Sequence, residues 1–158
     1  MNPNEHEYYM KKAYEQALIA MGMNETPIGA VITRMGEIIG RGSNARNTAK
    51  NPLAHAEIAA IHQAAGIIGD WRLEGATLYV TVEPCPMCAG AIVQARMDTV
   101  VFGARNPKAG CAGSILNILE EPRFNHRVNV IGGVLEEECA ALMREFFEAL
   151  RDGRICGK

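Results

Sequence analysis

No run among the 158 residues is apolar for the roughly 20 positions that a bilayer span requires, so no membrane segment is expected. The opening residues, Met1 to Glu7, are polar and acidic. They are not a basic stretch followed by an apolar one, so no secretory leader is expected and the cytoplasm is the expected compartment. Positive charge is not in excess either. Sixteen Lys and Arg stand against 18 Asp and Glu, a net charge of −2, unlike the basic balance of most nucleic-acid binders. There is no internal repeat, low-complexity tract or linker, and the length suits one domain with its own core, expected to span residues 1–158. An even set of paired cysteines is missing too: there are five, two of them in a Cys-x-x-Cys, which favours metal or redox chemistry over a disulfide framework.

What charge there is falls unevenly. Arg96, Arg105, Lys108, Arg123 and Arg127 face only Asp98, Glu120 and Glu121 between residues 96 and 127. A local basic face on a near-neutral protein is one reading, and scattered solvated charges the other.

The periodicity predicts a helix over 5–21, with Tyr9, Ala13, Ala17, Ala20 and Met21 on one side. Residues 27–42 read as a β-hairpin turning at Met35-Gly36, and 43–52 as a polar surface loop. Helix is expected over 54–65, broken by Gly66 and Gly69. A strand over 77–82, a helix over 86–95 and a strand over 99–103 form a βαβ unit with parallel pairing. A glycine-rich loop (105–114), a short helix (115–119), a strand (128–131) and a final amphipathic helix (135–151) complete the chain. The fold class is α/β, with one sheet of about five strands and helices on both faces.

Two short stretches carry the chemistry, Ala54-His55-Ala56-Glu57 and Glu83-Pro84-Cys85-Pro86-Met87-Cys88. They offer an imidazole, two thiols and a carboxylate. Three ligands with a fourth position left open mark a catalytic zinc site, whereas structural sites use four. His55 and Cys85 both fall at expected helix starts, where free N–H groups and the helix dipole favour thiolate. Glu57 lies two residues after His55, on a different helical direction, and suits a proton acceptor and donor beside the metal. Cys111 would close the site if it were a fourth ligand. Cys139 reads as core, Cys156 as part of a frayed tail, and His6 and His62 as structural or solvent-facing.

His-x-Glu followed by Pro-Cys-x-x-Cys is the signature of the zinc-dependent nucleobase deaminases. Further segments narrow the match: Pro27 to Val31, Asn44, Trp71 to Gly75, Lys108 to Ser114, and Phe124 to Arg127. Over about residues 7–151 the chain resembles the bacterial tRNA-specific adenosine deaminases. The resemblance implies a cytidine deaminase-like α/β/α sandwich and a homodimer with one Zn²⁺ per subunit. The implied reaction is hydrolytic deamination of the wobble adenosine of a tRNA anticodon stem-loop, with no protein cofactor. His55, Cys85 and Cys88 would hold zinc and Glu57 would move protons. Asn44 would hydrogen-bond the flipped base. Arg105, Asn106, Lys108, Phe124, Asn125, His126, Arg127 and Phe147 would hold neighbouring nucleotides.

The chain departs from its relatives' pattern at Asn106, where Asp is usual, and in a C-terminal tail that is only mildly basic. An amide in place of a carboxylate is expected to weaken recognition of a ribose 2′-hydroxyl, the group that separates RNA from DNA. Two other functions share the motif. One is a free-base deaminase of the guanine deaminase kind; the other is a non-catalytic, zinc-stabilised RNA-binding module with Cys111 as fourth ligand.

Overall fold

A computed structural model of the chain describes residues 2–156; Met1, Gly157 and the tail cation Lys158 lie outside the described residues. Its elements run α1 (Pro3–Gly22), β1 (Gly29–Arg34), β2 (Glu37–Ser43), α2 (Ala56–Ile68), β3 (Ala76–Val82), α3 (Pro86–Gln94), β4 (Thr99–Ala104), β5 (Asn129–Ile131) and α4 (Glu136–Arg151). The strands form one mixed sheet in the order β2-β1-β3-β4-β5. β1 pairs antiparallel with both β2 and β3, whereas β3–β4 and β4–β5 are parallel. The expected hairpin and βαβ unit are both present.

Every residue of β3 is buried, because the strand is covered on both faces. Alternate side chains serve opposite cores. Leu78 and Val80 pack with Ala56, Ala60 and Ala64 of α2 and with Ala89 and Ile92 of α3. Tyr79 packs with Tyr9, Met10 and Ala13 of α1 and with Cys139 of α4. The result is the three-layer α/β/α sandwich that the resemblance implied. His6 is buried and structural: its Nδ1 lies 3.1 Å from the Tyr79 hydroxyl. No helix among the described residues is long and apolar enough to cross a membrane.

Two expectations need correction. Gly66 does not end α2, which runs on to Ile68 and stops where Gly69 takes a left-handed conformation and donates its N–H to Ala65. A single glycine costs a helix only about 1 kcal/mol, which packing overrides. The expected helix at 115–119 does not form. Its backbone instead makes a compact turn, with the Ile115 N–H on the Gly110 carbonyl and an isolated bridge between Ala112 and Asn117. The donors of Ala112 and Ser114 are engaged by the carboxylate of Glu83, which fixes the approach to this segment in a non-helical path.

Helix α2 lies on β2 through a seam of small residues. A Cβ on Gly42 would sit 2.0 Å from the Ala56 carbonyl oxygen, and one on Gly40 would sit 2.4 Å from that of Ala60. Only glycine permits this approach, and it sets the start of α2, where His55 stands. The loop between β2 and α2 is pinned separately by Glu25, which is 1% exposed. The Glu25 carboxylate accepts the N–H groups of Asn47 (3.1 Å) and Thr48 (2.6 Å). Burial alone would push this carboxyl up. The Thr48 hydroxyl and the two N–H donors outweigh it, the Arg46 charge adds to them, and the net shift is below the ordinary value.

Gly42→Ala should therefore lose about 3 kcal/mol of stability or fail to fold, read by chemical denaturation. A depressed carboxyl stabilises the fold above its unfolded value of about 4.5 and loses that contribution as pH falls through the folded one. The difference in unfolding free energy between the wild type and Glu25→Gln should stay constant above about pH 5.5 and shrink below about pH 4.5. Urea titrations across that range measure it.

Candidate active site

His55 is the N-cap residue of α2 and Cys85 that of α3; neither side chain caps its own helix, so both are free to point elsewhere. Pro86 opens α3, where a missing N–H has no consequence. Cys88 lies one turn in, fully buried. The Nδ1 of His55 is 3.6 Å from the Cys85 sulfur and 3.5 Å from that of Cys88. The three ligand atoms lie within 4.8 Å of one another and could hold a metal ion. Cys111 is not in this group. It is buried, with its thiol donating to the Ala109 carbonyl at 3.6 Å. The cluster therefore has three donors, leaving a tetrahedral ion an open position.

The electrostatics suit a cation. The hydrogen bond from Cys88 does most to hold the Cys85 thiol down, to about 4, against the effect of burial and with help from His55. The same contact, with burial, pushes Cys88 well above the ordinary thiol range, and the Cys85 thiolate raises His55. Glu57 sits in the first turn of α2 at 4% exposure. Burial pushes its carboxyl up to about 7, near the value at which a group can both take and give a proton at neutral pH.

Asn44, His55, Glu57, Cys85 and Asn106 line one cavity of about 490 Å³. Thr26, Ile28, Arg46, Val82 and Asn106 line both this cavity and a groove of about 1100 Å³ outside it. Arg105, Lys108 and Phe147 lie along the groove, with Arg144 of α4. Asn44 is buried; its amide donates to the Thr26 carbonyl (3.2 Å) and accepts the Arg46 N–H (3.4 Å). The Asn106 side-chain oxygen accepts the Ala109 N–H at 3.2 Å, so it already serves the loop.

The segment 124–127 is placed elsewhere in the chain. Phe124 and Asn125 line a separate cavity of about 470 Å³ with Arg96. His126 Nε2 is 2.6 Å from the Met97 carbonyl oxygen, and Arg127 is exposed. The expected site residues thus fall into two groups, one around the cluster and groove and one away from both.

Two site residues carry no motif signal of their own. Glu83 directly precedes the cysteine turn and is 2% exposed. Its carboxylate accepts the N–H groups of Asn106 (3.1 Å), Ala112 (3.0 Å) and Ser114 (3.0 Å), and the Ser114 hydroxyl. Burial would raise this carboxyl, but the Ser114, Asn106 and Ala112 donors bring it below the usual range. A charge ending a strand rich in apolar and β-branched residues is the available clue. Arg46 stands in a polar loop, where nothing in the pattern separates it from its neighbours.

The family model of the MafB19-like deaminases matches residues 4–151. The tRNA-specific adenosine deaminase of Bacillus subtilis (strain 168) is 54% identical over 145 residues, 92% of this chain and 90% of that protein. A solved structure from studies of A-to-I editing by tRNA:A34 deaminases at the wobble position of transfer RNA is also similar. It has a TM-score of 0.82 and 40% identity, covering 85% of this chain and 98% of that one. A guanine deaminase from Nitrosomonas europaea shares the fold, with a TM-score of 0.78 at 23% identity over 89% of this chain and 83% of that one. The chain is an enzyme of the MafB19-like deaminase family and belongs, within it, to the tRNA-specific adenosine deaminases.

Proposed function

We propose that the chain converts the wobble adenosine of a tRNA anticodon to inosine at a zinc site formed by His55, Cys85 and Cys88, with one Zn²⁺ per subunit. The observation that carries this reading is the open three-donor cluster with Glu57 on the wall of a cavity. Zinc fits the donor set: bond lengths of about 2.3 Å to sulfur and about 2.05 Å to nitrogen put the two atoms about 3.6 Å apart in a tetrahedron. The observed separations are 3.6 and 3.5 Å. Membership of the family, and the names of its members, support adenosine in tRNA as substrate.

Zinc would supply an acidified water as nucleophile at neutral pH. Glu57 does the proton work. The water oxygen adds to C6 of adenine and the bond from C6 to the exocyclic nitrogen breaks. One water proton ends on ring N1 and the other on the departing amino group, giving ammonia; Glu57 relays both. Asn44 keeps a second amide hydrogen and a second lone pair for the base edge, since each end has one protein partner. Arg105, Lys108 and Phe147 along the groove offer cations and an aromatic face to flanking nucleotides. In a homodimer the segment 124–127 would reach the substrate from the second subunit, which suits its place apart from the cavity of its own chain.

Glu57→Gln should lower ammonia release from an anticodon stem-loop by about 10²–10⁴-fold while keeping zinc content and stem-loop affinity. Turnover that survives the change would remove Glu57 from its role. Asn106→Asp should hold the Ala109 N–H with one oxygen and present the other, charged, to a 2′-hydroxyl. Preference for RNA over matched DNA hairpins should rise about tenfold, measured as a ratio of kcat/KM. An unchanged ratio would show that residue 106 does not read the sugar.

A further inference from the structure

Among the described residues, Arg46 is the one cation that lines both the cavity at the cluster and the outer groove. The other residues shared by the two are Thr26, Ile28, Val82 and Asn106, all neutral. Five ion pairs form among the described residues, all on the surface, and Arg46 is in none of them. Its guanidinium makes no hydrogen bond to any described residue. Its backbone, by contrast, is tied at both ends: the N–H donates to the Asn44 side chain, and the carbonyl accepts the Asn51 N–H at 3.1 Å. The next two residues are anchored on Glu25. The Arg46 guanidinium thus stands outside every hydrogen bond and ion pair among the described residues, on a tied backbone at the seam where the cavity meets the outer groove; its charge also acts on Glu25, whose carboxylate is already held by backbone donors.

What a nucleotide chain carries through that seam is sugar and phosphate. A guanidinium presents a planar fork of donors that matches a phosphate. Arg105 and Lys108 line the groove only, so they are placed for phosphates further along. We infer that Arg46 binds the backbone phosphate next to the target nucleotide and thereby selects a polynucleotide over a free nucleoside or base. The inference rests on the proposed RNA substrate.

The test is equilibrium binding of a labelled anticodon stem-loop to zinc-loaded wild type, Arg46→Gln and Arg46→Lys across a salt series. It is repeated with stem-loops carrying one neutral methylphosphonate on either side of the target adenosine. Arg46→Gln should weaken binding about tenfold and reduce the log–log salt slope by about 0.7, the share of one single-strand phosphate contact. Arg46→Lys should fall between the two. One of the methylphosphonates should cost the wild type a similar factor and Arg46→Gln less than about twofold. An unchanged salt slope in Arg46→Gln, or equal losses for both proteins at both positions, would overturn the assignment. A wild type that binds the stem-loop but makes no inosine refutes the proposed reaction and leaves the comparison of Arg46 intact; one that binds no stem-loop overturns the assignment too.

Discussion

A single buried carboxylate holds the site together. Glu83 leaves the end of β3, two residues before Cys85, and reaches across to the loop that follows β4. Four donors converge on it from Asn106, Ala112 and Ser114. A Cβ on Gly110 would lie 2.4 Å from this carboxylate, so the loop closes around it without room for another atom. The Cys111 N–H on the Pro84 carbonyl adds a backbone tie at 2.8 Å. The turn that bears the two cysteines and the loop that lines the groove are therefore tied into one piece. Charge-assisted hydrogen bonds in a dry setting are the strong kind, and the same dryness makes losing any one of them costly.

Parallel pairing explains why these two segments meet at all. β3 and β4 run the same way with α3 between them, so the segments following both emerge at one edge of the sheet. α2 delivers His55 and Glu57 to the same edge because its alanine face lies directly on Gly40 and Gly42. Two helix starts then aim their positive ends at the thiols, and the low value of Cys85 follows from its neighbours in that arrangement.

Much of this was legible from residue patterns. The run of β-formers in β3, the Met35-Gly36 turn and the spacing of His55, Glu57, Cys85 and Cys88 each express a local rule, and each element formed where the rule placed it. The misses were long-range. Residues 115–119 have a helical composition, but a carboxylate more than 30 residues earlier engages the donors of the segment leading into them. Gly66 is a breaker by propensity and an interior helix residue by packing. Phe124 to Arg127 are a separate matter: the family pattern names them, and the chain places His126 on Met97 and Phe124 and Asn125 on a cavity apart from the cluster. Arg46 was invisible because its place between the cavity and the groove is made by the fold, which no spacing encodes.

The burial of β3 also bears on what holds the donor cluster in place. Every residue of the strand leading to the cysteine turn is buried, and Ala76, Leu78, Tyr79 and Val80 belong to cores of aliphatic and aromatic side chains. Small metal-bound folds need their ion in order to fold at all. Here the turn that carries two of the three donors follows a buried strand and is tied by the Glu83 carboxylate to the loop after β4, so protein groups alone set its position.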